Sequence, residues 1–165
     1  MPAGPTYEPI ATQTVSGSST GTVTFTSIPS TYTDIVVIIN AGYLSDSRDI
    51  TWRINNNTGS NYSGTVASGN GTSATSSRYL SQNKHFTNCL GFPDAGTGII
   101  YLMNYANTTT FKTAISRAGT TTNVTQVNSH LWQLTDAINR LDFFPNVSGN
   151  FLSGSTFTLY GIKAA

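Results

Sequence analysis

Charged side chains are scarce in this chain: eight Lys and Arg and seven Asp and Glu among 165 residues. Helix surfaces are normally built from Glu, Lys, Arg and Ala, so this scarcity argues against a helical protein. The net charge of +1 and the scattered basic residues offer no electrostatic footprint for nucleic acid. With one cysteine, Cys89, no disulfide can close within the chain, and the sequence is not that of a disulfide-stapled secreted scaffold. The longest aliphatic run, Ile35 to Ile39, is far too short to cross a bilayer. The opening Met1-Pro-Ala-Gly-Pro5 lacks the basic and apolar regions of an export signal. Neither a membrane nor a nucleic acid is an expected partner.

Groups that do chemistry are equally few. Glycoside hydrolysis needs two carboxyls facing one bond, and here a single glutamate, Glu8, accompanies aspartates scattered singly. His85 and His130 are the conventional bases, but neither lies in a recognisable motif, and no Gly-x-Ser-x-Gly elbow occurs. Each reads as a surface histidine or a satisfied core one. Cys89, four residues from His85, is half of a metal site without a second pair, and reads as a small buried hydrophobe. Asp46 and Asp49 have oxygens suited to calcium, yet Ser45-Asp-Ser-Arg-Asp49 reads better as a turn with Arg48 balancing charge. No catalytic, cofactor-binding or metal-ligating residue is assigned, and an enzyme is not expected. Tyr43, Tyr62, Tyr79 and Trp132 are candidates for stacking on sugars, although Tyr62 and Trp132 sit in strand-like runs that favour the core.

What the chain has in abundance is Thr, Ser, Asn and Gly, numbering 27, 19, 15 and 15. Thr suits a half-buried pleated strand, and Asn, Gly and Ser suit the turns between strands. With 8 Phe, 8 Tyr and 2 Trp, the chain has the apolar content of a folded domain rather than a disordered one.

Residues 1 to about 20 carry Pro2, Pro5 and Pro9 and a Ser16–Gly21 run of small residues. They predict an extended N-terminal arm with Tyr7 and Ile10 as its apolar anchors, ahead of a domain over residues 21–165. Val23 and Phe25 alternate with threonines, Ile35–Ile39 predicts a strand covered on both faces, and Ile50, Trp52 and Ile54 alternate again before an Asn55–Gly59 reversal. Ser60 to Ser77 reads as a short strand and a long polar loop, and Arg78 to Leu90 is ambiguous. Gly98–Tyr105 and Phe111–Ser116 predict a hairpin about the Asn107 turn, and Val124–Leu134, Leu141–Phe144 and Thr156–Ile162 complete the set. Asp136–Asn139 has room for one helical turn. The expectation is an all-β, antiparallel, jelly-roll-like sandwich of about eight to ten strands.

Several segments resemble small virion proteins of tailed bacteriophages, especially phages of aquatic bacteria such as cyanophages. They are Tyr7-Glu-Pro-Ile-Ala-Thr12, Phe25-Thr-Ser-Ile-Pro-Ser-Thr-Tyr-Thr-Asp34, Gly59-Ser-Asn-Tyr62, Asn104–Thr113 and, most characteristically, Gly154-Ser-Thr-Phe-Thr-Leu-Tyr-Gly-Ile-Lys-Ala-Ala165. The resemblance implies a jelly-roll-like structural protein of the virion, made in the host cytoplasm. Its implied role is a capsid cement or decoration protein that binds and stabilises the major capsid protein lattice, as a homotrimer and without a cofactor. The other role it implies is a tail or fibre module binding host-surface carbohydrate. On the first reading the arm reaches onto the capsid or a neighbouring subunit, and Tyr7, Glu8 and Ile10 are its expected partner-binding residues.

Overall fold

Alternation of apolar with Thr- and Ser-rich positions produces strands throughout the computed structural model, which describes residues 6–17, 20–40, 49–87, 96–120, 124–147 and 149–163. Among these residues there are twelve strands and no helix: β1 Tyr7–Thr14, β2 Val23–Phe25, β3 Asp34–Asn40, β4 Ile50–Ile54, β5 Tyr62–Gly69, β6 Ala74–Gln82, β7 His85–Thr87, β8 Gly96–Met103, β9 Lys112–Thr120, β10 Thr125–Trp132, β11 Leu141–Pro145 and β12 Thr156–Ile162. All pairings are antiparallel. One sheet runs β1-β12-β3-β8-β9-β10-β5-β6 and the other β2-β11-β4-β7.

The topology is that of an elaborated jelly roll. Without the hairpins β5–β6 and β9–β10, the remaining strands form β1-β12-β3-β8 on one side and β2-β11-β4-β7 on the other. That is the order produced by two interlocked Greek keys. The two hairpins prolong the first sheet beyond β8, leaving an eight-stranded sheet facing a four-stranded one.

The core lies between them. Ile35, Val37 and Ile39 of β3, Ile100 and Leu102 of β8, and Phe157 and Leu159 of β12 meet Trp52, Ile54, Leu141 and Phe143 of the smaller sheet. Phe143 and Phe157 lie 5.5 Å apart, centroid to centroid, across the two layers. Each fully buried side chain of this kind contributes on the order of 1.5–3 kcal/mol. The Ile35–Ile39 strand is central, as its unbroken apolar run predicts. Its outward Val36, flanked in register by Tyr101 and Tyr160, is as buried as its inward neighbours.

Three expectations are corrected. The strand count is twelve rather than eight to ten, because the arm supplies β1, the ambiguous stretch supplies β7, and the Ser60–Ser77 stretch with part of the ambiguous one forms the hairpin β5–β6. Its turn closes at Asn70, whose Oδ1 accepts the amides of Thr72 and Ser73. The segment read as an arm is extended over Tyr7–Thr14, but it lies along β12 as edge strand β1, and Val15 after it enters the core. Asp136–Asn139 forms no helical turn, because its amides are used elsewhere: Ile138 donates to the Tyr105 carbonyl and Asn139 to Asn55 Oδ1.

The predicted reversal after β4 does occur. Asn55 and Asn56 hold left-handed φ angles of 50° and 54°, which Asn tolerates better than most residues. The Asn55 side chain also receives the Arg140 amide and donates to the Ala137 carbonyl.

Candidate functional site

Strands β9 and β10 are turned against the usual rule. Their buried side chains are Lys112, Ala114, Ser116 and Ala118 on β9 and Gln126, Asn128, His130 and Trp132 on β10. The outward positions hold the larger aliphatic residues: Ile115 and Val127 are 50% and 48% exposed. In register across β8, β9 and β10 the outer face reads Met103–Thr113–Leu131, Tyr101–Ile115–Ser129 and Ile99–Arg117–Val127, with Ile38 of β3 beside Ile99. Arg117 is the charged residue in that block.

Burying so many polar groups is costly unless they bond to one another. A chain of hydrogen bonds joins Ser116, Asn128 and His130, while Gln126 Oε1, Asn128 Oδ1 and the Trp132 indole N–H have no partner among the described residues. Asn128 Nδ2 donates to Ser116 Oγ at 3.0 Å, and Ser116 Oγ lies 2.8 Å from His130 Nε2. His130 Nδ1 is 2.8 Å from the Tyr79 hydroxyl, which is 3.0 Å from His85 Nδ1. One direction orders the chain consistently: Ser116 donates to His130 Nε2, His130 Nδ1–H to Tyr79, and Tyr79 to His85 Nδ1. Both imidazoles are then neutral. Burial drives both pKa values down, His130 to about 3, and for His85 the proximity of His130 adds to the effect. Burial likewise raises the Tyr79 hydroxyl above the ordinary tyrosine range.

Tyr79 reaches this network from β6 by crossing β5. Tyr79, Gly64 and His130 stand in one row across the three strands. A Cβ on Gly64 would lie 2.5 Å from the Tyr79 ring and hydroxyl and 2.7 Å from the Ser129 carbonyl oxygen. Only a bare backbone lets the ring lie there. Trp52 closes the cluster, with its ring 4.3 Å from that of His85 and 5.2 Å from that of His130.

Serine, histidine and tyrosine in hydrogen-bonded sequence have the composition of a nucleophile and base. Ser116, His85 and His130 are all closed to solvent, however, so no substrate atom can approach the hydroxyl. The cluster acts as a polar clamp between the sheets. Both histidines are satisfied core residues, one of the two roles their sequence context predicts. Their adjacency was not legible, because it depends on which strands neighbour one another. Among the described residues, no three of His, Cys, Asp and Glu gather to hold a metal ion.

The expected partner-binding residues sit together on the β1 edge. Tyr7 is half-exposed and packs edge-on against Tyr160. Glu8 accepts a hydrogen bond from Lys163 Nζ at 2.7 Å, which holds its carboxyl below the usual range. Ile10 is partly buried against the core. Of the candidate sugar-stacking aromatics, Tyr62 and Trp132 are core residues, as their pattern predicts, and Tyr79 belongs to the histidine cluster. Tyr43, Asp46, Arg48 and Cys89 lie outside the described residues.

No protein-family model matches the chain, and no curated protein matches it. Among solved structures it is similar to an exo-inulinase from Aspergillus awamori at 12% identity and a TM-score of 0.41, over 94% of this chain and 29% of that one. This chain thus spans less than a third of that enzyme's length, and so weak a likeness carries no argument about function.

Proposed function

We propose that this protein is a structural component of a tailed-phage virion, a capsid cement or decoration protein that binds and stabilises the major capsid protein lattice as a homotrimer. The observation that carries this reading is the inversion of β9 and β10. A protein that worked alone in water would gain by facing Ile115, Val127 and Leu131 inward and its Gln, Asn and His outward. The reverse arrangement gives the outer face of the larger sheet an apolar block of the kind that marks an interaction surface. A low-charge Thr- and Asn-rich surface and the sequence resemblance to virion proteins support the same reading. Binding alone suffices for the function, because a protein that binds only the assembled lattice stabilises it by mass action.

The test is co-sedimentation of the purified chain with capsids that lack it, together with light scattering of the free protein. Saturable capsid binding by a trimer is the expected result. Failure to bind any capsid form, with retention on host cells or their polysaccharide, would replace this reading with that of a tail or fibre module.

A further inference from the structure

The opposite side of the sandwich carries a different surface. On the outer face of the four-stranded sheet, Thr24, Asp142 and Arg53 stand in one row, and Phe144, Thr51 and Phe86 in the next. Asp142 is fully engaged: Arg140 binds both of its oxygens, and Thr24 donates to Oδ1 at 2.8 Å. Arg53, in register with Asp142, instead gives its Nε to the Asn83 carbonyl and lays its guanidinium 4.7 Å over the Phe144 ring. Lys84 donates to the Asn146 carbonyl and stands 5.7 Å from both Phe144 and Phe86.

Two cations are therefore held on one aromatic pair, while the carboxylate in register with Arg53 is neutralised by a third. Burial and the charge of Arg53 both press the Lys84 ammonium below the ordinary lysine range, an unfavourable arrangement that a bound anion would relieve. Beside Arg53 a hollow of about 450 Å³ opens, bordered by Thr22, Asn56, Arg140, Asp142, Phe144 and Val147, with Lys84 outside the lining on the neighbouring aromatic pair. That volume suits a ligand of one or two sugar rings. Its walls combine the Arg53 guanidinium, the internally neutralised Arg140–Asp142 pair, hydroxyl and amide groups for hydrogen bonding, and an apolar patch at Phe144 and the exposed Val147.

We propose that this hollow binds an anionic saccharide, with its carboxylate or sulfate seated on Arg53 in the wall and on Lys84, which stands outside the lining beside Phe144, and with a sugar ring against Val147. The site is independent of the virion reading, since it uses the sheet that the apolar block leaves free. A capsid-bound copy would present it outward.

The test is an NMR titration of the full chain with tri-galacturonate, its neutral methyl ester, a heparin-derived tetrasaccharide and sodium sulfate. One or both acidic saccharides should shift the Arg53, Lys84 and Val147 amides saturably, with binding weakened by added salt and the ester inert. Arg53→Gln and Lys84→Gln should each weaken binding by about tenfold, and Arg53→Lys, which keeps the charge, should retain most of it. No binding by either acidic saccharide, equal binding by the ester, or undiminished binding by both Gln variants would overturn the site. Sodium sulfate that binds as tightly as the saccharides would overturn the saccharide and leave a site for inorganic anions only.

Discussion

The Tyr79 ring lies across the backbone of Gly64, and this contact sets its hydroxyl between His85 and His130. The strand between them must lack a side chain for the three residues to meet. Gly64→Ala should therefore expel Tyr79 and cost about 2–3 kcal/mol, because the added methyl also meets the Ser129 carbonyl, which cannot swing aside. Tyr79→Phe keeps the ring and removes the shared hydroxyl, at a cost of about 1–3 kcal/mol for two buried imidazole nitrogens left without a partner. Urea denaturation of the two variants checks both values, and a Gly64→Ala protein as stable as the parent would contradict the crossing.

Acid should destabilise the fold through the same pair. Both histidines have folded-state pKa values below the ordinary 6.5, His130 at about 3, so the unfolded chain takes up protons that the folded one refuses. Stability is then full above about pH 6.5 and is lost as pH falls toward 3. Each histidine contributes a slope of up to about 1.4 kcal/mol per pH unit. The unfolding free energy should drop by roughly 2 kcal/mol between pH 6 and pH 5, and His85→Gln should halve that slope whatever it does to the absolute stability. A flat profile over this interval would mean that the imidazoles are not buried as neutral groups.

The outer face of β8–β10 makes a prediction of the opposite kind. Ile115→Lys and Val127→Lys change half-exposed positions, so each should leave monomer stability within about 0.5 kcal/mol. Both should abolish self-association or capsid binding. Loss of binding with an unchanged thermal midpoint is the expected pair of results.

The sequence made the sandwich legible through its periodicity: β3, β4, β8, β11 and β12 alternate or run apolar as strands of a covered sheet must. The β8–β9 hairpin was equally clear, because Asn107 is a turn residue and its Oδ1 does accept the amides of Thr109 and Thr110. The β5–β6 hairpin was obscure for a physical reason. Along β6 almost every residue is exposed on both faces, so no alternation betrays it. Which face of β9 points inward was also hidden, because apolar alternation identifies a strand but does not say what covers its apolar side. The histidine cluster follows from that choice of face and from β10 lying beside β5.

Asn55, in the reversal after β4, pins the loop between β10 and β11. Asn55→Ala should cost about 2–3 kcal/mol, from three lost side-chain hydrogen bonds and a left-handed φ that Ala resists. Asn55→Gly relieves the backbone and should recover about 1 kcal/mol of that loss. Thermal denaturation of the pair separates the two contributions.

Residue 7 stands opposite residue 162 because β1 runs antiparallel to β12 along the sheet edge. A force drawing those two points apart acts across the strands, so it loads the ladder one hydrogen bond at a time, as in opening a zipper. Shear along the strand axis would load all the bonds of the pair together and meet far more resistance. Tension between residues 7 and 162 would thus peel β1 away at small loads while β12 and the strands behind it stay paired, whereas a pull on residue 7 along the strand axis would leave the edge closed.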